Sequence, residues 1–167
     1  MQVNDHFRQA GGMATYQAHR LNRPESLRIS ARNLLQQSDI TMIGILLITH
    51  GTFGESLIQN VCHVLNKRPP LIAQLGVAAQ DDPLDVLPLA RLLLNEVDGG
   101  NGVLVMTDIF GATPANLTLK LLDSGRIEGI AGLSLPMLLR ALTYRDKGME
   151  VMMQKAISGA RDGAMNM

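Results

Sequence analysis

The sequence predicts an α/β fold: an open four-stranded parallel sheet, order 2-1-3-4, with helices on both faces. Three observations predict it. Apolar runs over 42–49, 71–77 and 102–107 are nearly continuous, as strands buried on both faces require. Between them, apolar residues recur at helical spacing. Gly, Pro and Asp punctuate the boundaries at the ends where helices start or stop.

Taken in order, Met42 to Thr49 is the first strand. Leu57, Ile58, Val61, Val64 and Leu65 then mark one face of a helix. Thr52 and Glu55 form an S/T-x-x-E capping signature for it. Pro69-Pro70 closes the linker, and Leu71 to Val77 is the second strand. Asp82-Pro83 starts the second helix, with Asp as cap and Pro in the first turn. That helix runs through Leu84, Leu87, Ala90, Leu94 and Val97 to Gly99-Gly100. Gly102 to Thr107 is the third strand. Thr113-Pro114 starts a helix, with Thr113 as its cap, that extends to about Asp123-Ser124-Gly125. Glu128 to Leu133 is the fourth strand. Ser134 and Pro136 begin a helix to about Tyr144, and Met149 to Ala160 is the last.

Residues 1–41 read differently. They hold Arg8, Arg20, Arg23, Arg28 and Arg32, no Lys, and sparse apolar positions. They are expected to be a poorly structured extension, either from a start upstream of the natural one or non-native. Arg28 to Leu35 could form a short helix with little to bury. Residues 42–167 form the domain.

Composition narrows the function. The chain has 167 residues, 46% of them apolar, which suits one packed domain. Lys plus Arg number 15, as do Asp plus Glu, so no global field attracts nucleic acid or anionic lipid. Aromatics are 3% and Trp is absent, which argues against stacking platforms for single strands. Cys62 is the lone cysteine, so an internal disulfide and Cys-based zinc sites are excluded. No apolar run reaches the ~20 residues of a bilayer span, and no signal-type apolar core opens the chain. A cytoplasmic location is the expectation.

In a doubly wound sheet, chemistry sits at the carboxyl ends of the strands, at the switch point of strand order. Three stretches reach that edge: "ITHG", "TDIFGATP" and "GLSLPML". With strands one and three adjacent, His50 and Asp108 arrive side by side. A carboxylate that accepts one imidazole proton fixes the tautomer and leaves the other nitrogen as nucleophile or base. Gly51 and Gly111 allow tight turns into the helix starts, where backbone N–H groups can hold phosphate oxygens. The hydroxyls of Thr49, Thr52 and Thr113 are candidates to add hydrogen bonds. Neither loop holds Lys or Arg. Phosphate there would be stabilised by dipoles alone, which suits a group that must be released.

A lone histidine at a strand tip is usually incidental. Asp108 at the matching tip, with two Gly-turn-helix loops beside it, raises His50 above that. His63 sits mid-helix and is a solvent-facing or packed residue. His6 and His19 fall in the extension. Asp81, Asp82 and Asp85 read as helix-start electrostatics, and the Met-rich end as packing filler or a protein-contact surface. G-x-G-x-x-G, Walker, G-x-S-x-G and H-E-x-x-H motifs are absent.

"ILLITHGTFGESL", "VLVMTDIFGATPANL" and "IAGLSLPMLLRAL" together resemble the enzyme IIA component of the mannose-type sugar phosphotransferase system, over about residues 42–162. The resemblance implies a cytoplasmic phosphocarrier. His50 would take a phosphoryl group from the phosphocarrier protein HPr and pass it to an enzyme IIB partner. Asp108 matches the family's orienting aspartate, and Thr113 its hydroxyl residue after the glycine turn. Gly51, Thr52, Gly111 and Thr113 would bind the phosphoryl group. No metal or organic cofactor is implied. The implied fold adds an antiparallel strand exchanged within a homodimer.

The sequence departs from the pattern in three places. Ala112 stands where the family often has a second glycine. The chain stops about where the exchanged strand is expected, and no IIB domain follows, so the acceptor would be a separate chain. Two other readings stay open: a hydrolase or mutase using the same pair, and a non-catalytic regulatory module of flavodoxin-like architecture.

Overall fold

The computed structural model describes residues 42–167. The extension over 1–41 and its short helix lie outside the described residues. The chain order is β1 (Gly44–His50), α1 (Phe53–Leu65), β2 (Ile72–Val77), α2 (Pro83–Val97), β3 (Val103–Thr107), α3 (Thr113–Leu119), β4 (Ile127–Ala131), α4 (Leu135–Tyr144) and α5 (Met149–Asp162). The strands form one sheet in the order β2-β1-β3-β4. All three pairings are parallel, with Ile48 opposite Leu75 on one side and Thr107 on the other. The predicted order 2-1-3-4 is therefore the observed one.

Strand alternation builds two cores from one sheet. Ile45, Leu47, Leu104 and Met106 face α1, α4 and α5, against Leu57, Val61, Leu138 and Met152. Leu46, Ile48, Val103 and Val105 face α2 and α3, against Ala90, Leu94 and Leu117. Met149, Met152 and Met153 belong to the first core, while Met165 is exposed. The Met-rich end is packing filler only as far as α5 reaches.

Helix starts follow the sequence where the cap lies beside the helix. Asp82 is extended and accepts from the Leu84 N–H at 2.8 Å, with Pro83 next. Ser134 accepts from the Met137 N–H at 3.4 Å. Two caps differ from expectation. Thr52 makes no side-chain cap bond, because its φ of −98° and ψ of 11° are not the extended geometry a cap needs. Thr113 is the first helical residue, not the cap; Ala112 takes that place without a side-chain bond. The helix that follows also ends early, at Leu119. Its last turn tightens through Lys120 N–H to Leu117 O and Leu121 N–H to Thr118 O.

The amino ends of the strands are tied by two polar devices. Asp98 accepts from Gly100 N–H and Gly102 N–H and pairs with Arg126 at 2.8 Å. Arg145, only 4% exposed, donates to the carbonyls of Ile43, Pro70 and Leu71. The opposite, carboxyl edge is left to the loops that carry His50 and Asp108. The expected exchanged antiparallel strand is not among the described residues, and β4 is an edge strand.

Candidate functional site

β1 delivers His50 and β3 delivers Asp108 to the same edge, two residues and one residue past the last β1–β3 pair, Ile48 with Thr107. His50 Nδ1 lies 2.8 Å from Asp108 Oδ2, and the backbone N–H of His50 donates to the same oxygen at 3.0 Å. The other oxygen, Oδ1, accepts from the Ile109 N–H at 3.0 Å. Asp108 is thus fixed through both oxygens.

Burial raises the Asp108 pKa. Hydrogen bonds from the His50 backbone and ring, the imidazole's charge and the Ile109 N–H outweigh burial, and the net shift is downward. Asp108 is therefore ionised at neutral pH and accepts only. The proton between the two groups then belongs to Nδ1, which leaves the lone pair of a neutral ring on Nε2. The His50 side chain is 48% exposed and that of Asp108 13%. The pair joins a held base to an open ring.

The glycines at the two turns are required by backbone angle. Gly51 has φ +50° and Gly111 φ +83°, and neither would meet an atom with an added Cβ. Ala112, where the family often has glycine, sits at φ −87° and ψ 173°, ordinary extended backbone. Alanine there is free of strain. Thr52 is exposed beside His50, and Thr113 is half-buried at the start of α3. Thr49 departs from expectation. It is wholly buried, and its Oγ1 accepts the Gly54 N–H at 2.9 Å, so its hydroxyl is turned inward to α1.

Sequence reasoning missed three features of this site. One is Thr49's role as the cap of α1. Another is Gly76: a Cβ there would overlap the carbonyl oxygen of Gly51, whose own N–H donates to Val77 O at 3.0 Å. The third is the apolar rim, with Ile109 59% and Phe110 80% exposed. Phe110 also lines a cavity of about 60 Å³ with Thr107, Ala115, Thr118 and Leu122, which neither His50 nor Asp108 lines. The buried Thr107 hydroxyl there has no hydrogen-bond partner. His63 is exposed on α1, and Asp81 accepts from Ala78 N–H while Asp82 caps α2. Among the described residues no group of three or more His, Cys, Asp or Glu is placed to hold a metal, and no helix is long and apolar enough to cross a membrane.

A doubly wound domain with a carboxylate-held imidazole at its switch point defines a class of small α/β carrier or transfer domains. Comparison makes the class specific. The family model EIIA-man, described as the PTS system fructose IIA component, matches residues 44–157. The chain belongs to that family and is a phosphocarrier component of a sugar phosphotransferase system. Solved structures share the fold. The phosphotransferase system component EIIA from Streptococcus agalactiae is 22% identical, with a TM-score of 0.66, covering 75% of this chain and 97% of that one. The mannose/sorbose specific IIA subunit from Enterococcus faecalis is 19% identical, with a TM-score of 0.67 and coverage of 75% and 95%. The PTS IIA protein associated with the fucose utilization operon from Streptococcus pneumoniae is 20% identical, with a TM-score of 0.66 and coverage of 75% and 93%. No curated protein sequence matches the chain.

Proposed function

We propose that His50 carries the phosphoryl group, bound at Nε2, between two protein partners. The observation that supports this reading most is the 2.8 Å bond from Nδ1 to Asp108 on a half-exposed ring, which in the neutral imidazole turns the lone pair to Nε2. The donor is phospho-HPr and the acceptor a IIB component on a separate chain. In the transfer, the N–P bond of the donor histidine breaks as the Nε2–P bond forms. Nδ1 keeps its proton, and Asp108 balances the positive charge that develops on the ring. Gly51, Thr52, Gly111 and Thr113 line the phosphoryl position. With no Lys or Arg in either loop, N–H groups and hydroxyls stabilise it weakly enough to let it leave.

Exposed Phe53, Ile109 and Phe110, in the segments that follow His50 and Asp108, suit a protein donor better than a small ester. The domain acts in the cytoplasm, needs neither metal nor organic cofactor, and works as a homodimer that covers the open edge of β4.

Incubation with labelled phospho-HPr tests the reading. The expected product is one acid-labile, base-stable phosphate per chain, absent from His50→Ala. Label retained by His50→Ala would overturn it.

A further inference from the structure

Alternation along β1 puts Thr49 and His50 on opposite faces of the sheet. Thr49 is on the α1 side with Ile45 and Leu47, wholly buried. Its Oγ1 accepts the N–H of Gly54, the second residue of α1, and so closes a loop around His50, Gly51, Thr52 and Phe53. Gly54 is itself buried, and an added Cβ would stand 3.0 Å from that oxygen.

The His50–Gly51 peptide is held on two other sides. Asp108 accepts the His50 N–H, and Val77 O accepts the Gly51 N–H, with Gly76 leaving room for the Gly51 carbonyl. Those ties fix the loop to the sheet. Neither fixes it to α1, whose positive N-terminal end begins three residues after His50. Thr52 contributes no side-chain cap, and the Ser56 N–H and hydroxyl both donate back to Thr52 O, within the same turn. The side-chain link between the histidine strand and the first turn of α1 is therefore Thr49.

We propose that Thr49 is a positioning residue for phosphoryl transfer: its hydroxyl sets the register between the His50 ring and the N-terminal N–H groups of α1. This rests on His50 being the phosphoryl acceptor. A cap that served folding alone would, on removal, lower stability and leave turnover of the folded protein unchanged. A positioning residue, on removal, lets the first turn drift, and small misplacements of a reacting group are costly in rate.

Thr49→Val keeps shape and burial but strands the Gly54 N–H; Thr49→Ser keeps the hydroxyl. Initial rates with phospho-HPr are measured for both in the full chain, and with phosphoramidate as a small donor that needs no docking. The expected result is a kcat about 10-fold lower for Thr49→Val with KM unchanged, the same loss with phosphoramidate, and rescue by Thr49→Ser. A wild-type kcat in folded Thr49→Val overturns the proposal. Amide exchange in the wild type decides the matter if the valine variant does not fold. A protected Gly54 N–H whose resonance moves on phosphorylation supports the proposal, and one exchanging at the rate of an open amide overturns it. A wild type that takes no label refutes the phosphocarrier reading itself. Labelled wild type beside an equally fast Thr49→Val refutes only the positioning role.

Discussion

Asp108 holds two jobs in one carboxylate, and they can be separated. Its pKa is below the ordinary 3.8 because the bonds from His50 and Ile109 outweigh burial. A depressed folded pKa means that the stabilisation is fully present above the unfolded value. It is lost as pH falls through the folded one. Stability is therefore expected to fall on acidification below about pH 4. Asp108→Asn should flatten that part of the acid limb, read by urea unfolding between about pH 2 and pH 5. The same substitution should slow labelling of His50 by about 100-fold at neutral pH. An amide can turn its NH₂ toward Nδ1, which moves the ring proton to Nε2 and removes the nucleophile. Unchanged labelling by Asp108→Asn would show that the carboxylate only places the loop.

At the scale of elements, what the sequence revealed depended on how far apart the partners lie along the chain. The starts of α2 and α4 were legible because Asp82-Pro83 and Ser134 with Pro136 sit beside the helices they cap. So was the parallel sheet, which follows from apolar runs and the helices between them; its order 2-1-3-4 came from the general doubly wound pattern and from no residue here. The pairing of His50 with Asp108 followed from that order, although 58 residues separate them. The cap of α1 was misplaced on Thr52 because the working hydroxyl, Thr49, is still in the strand. α3 was drawn too long because Asp123 looks like a helix end, yet it pairs with Ile127 at the entry to β4. Gly76 has no local signature; its need arises where the Gly51 carbonyl, in the turn after β1, meets it. A legible cap gives a clean test. Asp82→Ala should cost about 1 kcal/mol of stability by denaturant titration. Transfer by His50 should be unchanged, since the residues that α2 buries on the sheet are Ala90, Leu94 and Val97, well beyond the capped end. A loss of several kcal/mol would mean that the Asp82 side chain holds more than the Leu84 N–H.

Across the whole domain, Arg145 shows how one residue beyond α4 joins parts that sequence order keeps apart. Its carbonyl partners are Ile43, 102 residues away, and Pro70, 75 residues away, with Leu71 beside it. The Ile43 N–H donates in turn to Arg145 O, so the entry to β1 is held by both backbone and guanidinium. Leu71 takes φ +50°, an uncommon angle for a leucine, while its carbonyl receives both the Ile45 N–H and the guanidinium. Burial lowers the Arg145 pKa, and its guanidinium donates to three carbonyls. The planar fork serves several acceptors at once, which a lysine ammonium on a flexible stem does poorly. Arg145→Met would leave those carbonyls without their donor, and a loss of about 3 kcal/mol is expected. At roughly 3 °C per kcal/mol for a domain of this size, the thermal midpoint should fall by about 10 °C. Arg145→Lys should recover less than half of it. Labelling of His50 in the remaining folded protein should be unchanged at 25 °C, because Arg145 grips the amino end of β1 and the imidazole leaves from its carboxyl end. Were transfer to fall in step with stability at a temperature where the variant is fully folded, the strand would be passing strain along its length. The two ends of β1 would then act as one device rather than two.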